Sequence, residues 1–118
     1  NSRKRWIAFF QKPLGTLTID DGARNAIEEH GKSLLSIGIK KVEGEFNVGA
    51  AVDIKGPDHT LIARGLVAYS SGDIRLIKGH RTNEIASILG TEMYDEVIHR
   101  NNMALFTSKE RDTTDDLA

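Results

Sequence analysis

Several groups of side chains in this sequence have the types and spacing that do chemistry, and each has a competing structural reading. Gly31-Lys32-Ser33 looks like the end of a phosphate loop. Such a loop needs a glycine five residues before its second glycine, and a helix leaving the Lys-Ser pair to aim free N–H groups at the phosphates. Position 26 is Ala26, and the pattern puts a helix before Gly31 and a strand after Ser33, so a nucleoside triphosphate finds no cradle. Asp20-Asp21 could form a metal or acid/base pair, but adjacent carboxylates at a helix start serve as caps. His30, His59, His80 and His99 show no helical i, i+4 pairing and no accompanying carboxylate cluster, so a metal site is not supported. Ser70-Ser71 lacks the G-x-S-x-G setting of a nucleophile and reads as a turn.

One basic group keeps two readings open. Arg75, Lys78, His80 and Arg81 form either a solvated face around a helical turn or a phosphate-contacting patch. Lys32 and Arg64 join the patch only if the fold brings them there. Tyr69 offers a stacking face or, by default, a core ring. No constellation in the chain supports a catalytic site of its own.

The elements that must position these residues follow from composition and pattern. A chain of 118 residues fits one domain, and 39% hydrophobic with 28% charged residues suits a folded one. The formal net charge of -1, from 16 Lys+Arg against 17 Asp+Glu, does not advertise a nucleic-acid partner. Its distribution is uneven: Arg3, Lys4 and Arg5 open the chain, while Asp112, Asp115 and Asp116 lie near its end. The absence of cysteine fits a reducing cytoplasm. The apolar run at 6–10 is far short of the ~20 residues that span a bilayer, and no signal-peptide pattern is present. The opening Asn1, without Met, suggests a fragment of something larger.

Residues 1–12 read as a linker ordered near Trp6, and Pro13-Leu14-Gly15 as a turn. Residues 16–19 alternate as a strand. Asp20 caps a helix whose packing face holds Ala23, Ala26, Ile27 and His30, and Gly31 ends it. Leu35, Ile37 and Ile39 alternate as a second strand, with Gly38 marking a bulge or a close backbone approach. Residues 52–55 and 61–69 form a hairpin around Gly56-Pro57-Asp58-His59. Residues 70–73 break the strand and 74–77 make one helical turn. Thr82 caps a second helix that presents Ile85, Ile88 and Leu89 and stops at Gly90. Val97-Ile98 and residues 103–106 are late strands. This predicts a mainly β, α+β domain: a mixed barrel of five or six short strands with two short helices at its ends.

The stretch from Gly31 to Ile39, followed by Val42-Glu43-Gly44, Phe46, Gly49 and Ala63-Arg64-Gly65-Leu66-Val67, resembles the signature of PUA domains, pseudo-barrels attached to many RNA-modifying enzymes. The likeness is closer to the PUA domain at the end of bacterial glutamate 5-kinases. It runs through Arg3-Lys4-Arg5-Trp6, Gly15-Thr16-Leu17-Thr18-Ile19-Asp20, Tyr69-Ser70-Ser71, Ile77-Lys78-Gly79-His80-Arg81, Glu84-Ile85-Ala86, Ile88-Leu89-Gly90 and His99-Arg100. Ser36 stands where that family usually has Pro, Ala50 where Asp is common, and Phe9-Phe10 is more apolar than expected. Such changes bear on turn stiffness and surface.

The resemblance implies a PUA-like pseudo-barrel over 13–106, a linker at 1–12 from a preceding kinase domain, and a flexible polar tail at 107–118. It implies a cytoplasmic parent enzyme that phosphorylates the γ-carboxylate of L-glutamate, the first step of proline biosynthesis. The parent's ATP and Mg would sit in that kinase domain, so no catalytic residue carries over to this chain. It also implies an RNA-binding surface at Arg24, Lys32, Ser33 and Arg64, to which the basic group adds Lys78, His80 and Arg81. The expected partner is structured RNA. The alternative is a regulatory or assembly module that packs on its own kinase domain or a sister subunit and tunes proline inhibition, motivated by the apolar residues 6–10. No membrane partner is implied.

Overall fold

A helix stands where the sequence suggests only a linker. In the computed structural model, which describes residues 1–91, 94–107 and 109–111, Asn1 caps α1 (Ser2–Phe10) by accepting a hydrogen bond from the Lys4 amide at 2.9 Å. The helix ends at Phe10, and Gln11 returns to extended backbone. The apolar run folds because Ile7 and Ala8 find partners, packing with Ala104 and Phe106 into a small core of their own.

The next elements follow the pattern. β1 (Thr16–Ile19) buries Leu17 and Ile19 and leads to α2 (Asp21–His30). Asp20 caps α2, its carboxylate accepting from the Ala23 amide at 2.8 Å. Gly31 ends the helix with φ 60°, a left-handed conformation that costs glycine little. Ile27 is buried and Ala23 and Ala26 are half-buried, but His30 is exposed and does not belong to the packing face.

The expected strand from Leu35 starts late. Residues Ser36–Gly38 form one 3-10 turn, and β2 runs over Ile39–Glu43. Leu34 and Ile39 are buried, whereas Leu35 and Ile37 are exposed, so the alternation of the latter two with Ile39 was misleading. The turn is forced by contact. A Cβ on Gly38 would lie 2.5 Å from the Ala23 Cβ, so this backbone reaches α2 only because Gly38 lacks one. Ser36 is fully buried and donates its hydroxyl to the His80 carbonyl at 2.7 Å.

β3 (Ala51–Lys55) and β4 (Leu61–Leu66) form the expected hairpin, with β4 shorter than the 61–69 reading. The register shifts at Ile54/Lys55, leaving Ile62 as an extra residue, and both Ile62 and Ala63 join the main core. α3 (Ser71–Ile77) starts before the expected turn because the Ser70 hydroxyl caps it, accepting from the Asp73 amide at 3.2 Å. A 3-10 turn (Thr82–Glu84) precedes α4 (Ile85–Leu89), which ends at Gly90. Thr82 is not the cap: its hydroxyl points to the Asp95 carbonyl, and the Glu84 carboxylate accepts from the Arg81 amide instead. A third 3-10 turn (Arg100–Asn102) opens β5 (Met103–Leu105). Val97 and Ile98 make only an isolated bridge with Leu34 and no strand.

The five strands run in the order β2-β1-β3-β4-β5. β1 and β3 are parallel and the other pairs antiparallel, so the sheet is mixed as expected. It is not a closed barrel. Among the described residues β2 and β5 are edges, with α3 packed near β2 and α1 against β4 and β5. The main core collects Leu17, Ile27, Ile54, Ile74, Ile85 and Ile98, while α1 covers the other face. Each fully buried Ile or Leu is worth roughly 1.5–3 kcal/mol. The expected tail begins as a helical turn at 109–111, where Arg111 donates to the carbonyls of Leu61 and Phe106. Asp112, Asp115 and Asp116 lie outside the described residues.

A buried cation fastens α1. Arg64 lies opposite Asp53 across β3 and β4 and donates to it at 2.7 Å. Its other nitrogen reaches the Ala8 carbonyl at 2.7 Å and the Gln11 carbonyl at 3.4 Å, and its guanidinium stacks 5.4 Å from the Phe106 ring centre. The last carbonyls of a helix are the negative end of its dipole, and a cation there is favourable.

Two substitutions test this packing. Arg64→Met keeps the bulk but strands Asp53, and should lower unfolding free energy in urea by about 3 kcal/mol. Adding Asp53→Leu should recover most of the loss, and a single variant as stable as the native chain would show that the cation does not hold α1. Gly38→Ala drives two methyl groups together, which costs roughly 1–3 kcal/mol, or about 4–12 °C in Tm by calorimetry. An unchanged Tm would contradict the close approach.

Candidate nucleic-acid interface

The sequence-expected contacts divide into three groups. Arg64 is 8% exposed and committed to Asp53, α1 and Phe106, so it does not belong to a solvent-facing surface. The strand pattern could not reveal this, because the partner that covers Arg64 is the helix read as a linker. Arg24 is tied between Glu28 at 2.7 Å and Asp58 at 3.3 Å, which fastens α2 to the β3–β4 turn. The Glu28 hydrogen bond is the main reason its pKa rises above the ordinary arginine value. Asp58 is held below the usual carboxylate value, first by the Thr60 amide. Its ion pair is present at neutral pH and is lost as pH falls through that lowered value.

The basic group at 75–81 is partly neutralised. Arg75 pairs with Glu45 at 2.9 Å, and His80 Nδ1 lies 3.2 Å from Glu84. The Arg81 amide, then His80, lowers the Glu84 pKa. Lys78 and Arg81 have no ion-pair partner among the described residues. The 78–81 turn abuts the segment after α2. The Gly79 amide donates to the Ser36 carbonyl at 2.9 Å, and Ser36 donates back to His80.

Lys32 and Ser33 do occupy a concave site. A groove of about 650 Å³ receives Ala23 and Ala26 from α2, Lys32 and Ser33 from the turn after it, and Leu35 and Ile37 from the next. Glu96, His99 and Arg100 complete it from the chain before β5. Sequence reading missed Leu35, Ile37, His99 and Arg100 as site residues. No spacing signal marks them, since they meet only through backbone pairing between distant segments. The Leu34 amide donates to the Ile98 carbonyl at 2.9 Å and the Val97 amide to the Leu34 carbonyl at 2.8 Å. Ser33 Oγ accepts from the Arg100 amide at 2.8 Å. No helix leaves Ser33, in agreement with the rejected phosphate loop.

The groove's chemistry is that of contact and not of catalysis. Lys32 and Arg100 have no ion-pair partner among the described residues, and Leu35 and Ile37 expose apolar surface beside them. His99 Nδ1 accepts from the Asn101 amide at 3.1 Å, which places the ring proton on Nε2 as a donor. Asp20 also lines the groove, but its carboxylate is engaged as the α2 cap. Among the described residues no three His, Asp or Glu side chains converge as a metal site, and no helix is long and apolar enough to cross a membrane.

Comparison with known proteins follows the same lines. The chain is 52% identical over 108 residues to a glutamate 5-kinase of Dictyoglomus turgidum, covering 89% of this chain and 28% of that protein. It is 50% identical to one of a Thermoanaerobacter species, covering 94% and 30%. The chain thus spans less than a third of the length of these curated relatives. A crystal structure of a PUA domain from Aeropyrum pernix K1 shares the fold, with a TM-score of 0.54 at 20% identity, covering 73% of this chain and 41% of that one. A sequence profile described as the PUA domain matches residues 15–89, well over half of the chain. The chain belongs to the PUA domain family, a family of non-catalytic modules.

Proposed function

We propose that this domain binds structured RNA through the groove between α2 and the segments 32–38 and 96–100, as one part of a cytoplasmic glutamate 5-kinase. PUA domains generally bind RNA. The observation that carries the reading is the groove itself: Lys32 and Arg100, two cations without ion pairs among the described residues, stand beside exposed apolar side chains in one concavity. Lys78 and Arg81, on the turn bonded to Ser36, extend the basic surface beyond the rim. The remainder of the parent protein would hold ATP and Mg and phosphorylate L-glutamate, the opening step of proline biosynthesis.

Glu96 in the lining keeps the surface from being uniformly basic, which limits the contact to a few phosphates. Four phosphate contacts make affinity fall about 100-fold between ~50 and ~200 mM salt. Filter binding with a structured RNA should show that slope, and Lys32→Ala or Arg100→Ala should each reduce the slope by about one. Binding that is absent at low salt, or independent of salt, would contradict the reading.

A second reading rests on α1. Trp6, Phe9 and Phe10 are 48%, 46% and 75% exposed and share one helical face, opposite the buried Ile7 and Ala8. Aromatic surface of this kind marks an interface. Its nearest occupant is the rest of the same polypeptide, because the relatives carry about 70% of their length outside the matched part and a tethered body is present at high effective concentration. In the full-length enzyme, Phe9→Ser with Phe10→Ser should speed proteolysis between the two bodies and alter proline inhibition or subunit number. Unchanged proteolysis, inhibition and sedimentation would remove this role.

A further inference from the structure

The first turn of α1 is charged against its own dipole. Arg3, Lys4 and Arg5 follow one another there, and the turn holds no acidic residue. The free amides of a helix start carry the positive end of the dipole, so cations among them are unfavourable. Arg3 has a use within the domain: its guanidinium donates to the Asn102 side-chain oxygen at 3.1 Å. Lys4 and Arg5 have no ion-pair partner among the described residues.

Both cations stand beside apolar surface. A groove of about 330 Å³ lies between α1 and β5, lined by Lys4, Arg5 and Phe9 from the helix and by Ala104 and Leu105 from the strand. Lys4 is one turn before Ala8 and Arg5 one turn before Phe9, so each cation continues a ridge of the helix that borders the groove. Phe9 and Leu105 expose apolar area next to them. Among the described residues Glu110 is the one carboxylate of the lining, set against two cations. Phe9 also belongs to the outward aromatic face with Trp6 and Phe10, so that face has a basic end. A local rule broken in this way is compensated at a functional contact.

We infer that α1 docks on an acidic segment of the rest of the same polypeptide, whose carboxylates meet Lys4 and Arg5 while one of its apolar side chains enters the groove beside Phe9 and Leu105. This rests on the reading of α1 as the face turned to the rest of the polypeptide, and adds the chemistry of the partner. Carboxylates answer the two cations and the dipole together, because an anion near a helix start is favourable. The exposed Phe9 and Leu105 select a protein segment over a phosphate backbone, which would cover no apolar surface. The curated relatives carry most of their length outside the matched part, so a tethered body is at hand to supply the segment.

The test compares hydrogen exchange of the α1 amides in the full-length polypeptide and in this chain alone. The full-length polypeptide should protect α1 more, at every protein concentration, and the excess should shrink between ~50 and ~500 mM salt as the pairs are screened. Lys4→Gln with Arg5→Gln should speed α1 exchange in the full-length polypeptide roughly 3- to 10-fold. The same pair should leave the Tm of this chain alone unchanged or higher, since it relieves the dipole. Excess protection that ignores salt and both Gln substitutions, yet disappears with Phe9→Ser and Phe10→Ser, would overturn the inference and leave the apolar docking reading standing. Equal α1 exchange in the two proteins would bring down both. A lower Tm of the Gln-substituted chain would put the acidic partner within this chain, protection that fades on dilution would put it on a second copy, and weaker binding of a structured RNA by the substituted chain would give the cations to phosphates. Each of these results overturns the inference.

Discussion

The short backbone stitch between Leu34 and the 97–98 segment sets the geometry on which the proposed surface depends. Leu34 sits just past α2, and Ile98 just before the last strand. Their reciprocal hydrogen bonds, with Ser33 capping the Arg100 turn, bring two otherwise separate segments side by side. Closing so long a loop costs conformational entropy, which is met by burying Leu34, Val97 and Ile98 completely in the main core. Lys32 and Arg100 are then neighbours of a buried seam, which limits how far their backbone can stray. Gly38 completes the arrangement from the other side by letting its turn settle on Ala23.

The opposite face of the sheet is organised around one buried cation. Arg64 neutralises Asp53, catches carbonyls at the end of α1 and lies over Phe106. A helix with only two buried residues, Ile7 and Ala8, has little apolar contact of its own. The guanidinium supplies direction as well as energy, because its planar fork fits only one placement of the helix end. That placement leaves Trp6, Phe9 and Phe10 facing outward, so the module has two unlike surfaces: a groove that sets Lys32 and Arg100 beside apolar side chains on one side and an aromatic stripe on another.

Local signals were legible where local chemistry decides. Asp20, Gly31 and Gly90 mark helix ends in the sequence, and the Gly56-Pro57-Asp58-His59 turn marks the hairpin. Each rests on hydrogen bonds or backbone freedom within a few residues. The mixed sheet could be anticipated because no regular crossover helices separate the strands. What failed was whatever depends on distant partners. Leu35 and Ile37 alternate like a buried strand, but the Gly38–Ala23 contact turns them outward. Arg64 looks like a surface cation in a strand, but a helix from the start of the chain covers it. Arg100 carries no spacing signal, because the groove it lines is made by pairing between segments far apart in sequence. The strand pattern suggested a small mixed barrel, and among the described residues the ladder stops at β2 and β5.

The central claim is that the turn after α2 and the segment before β5 act as one contact surface. Amide NMR of the 15N-labelled chain during titration with a structured RNA tests it directly. The account requires saturable shifts at Lys32, Ser33, Ile37, His99 and Arg100 moving together, with the Trp6 indole N–H on α1 left in place. Shifts confined to α1, or shifts at the two segments with different saturation points, would contradict it.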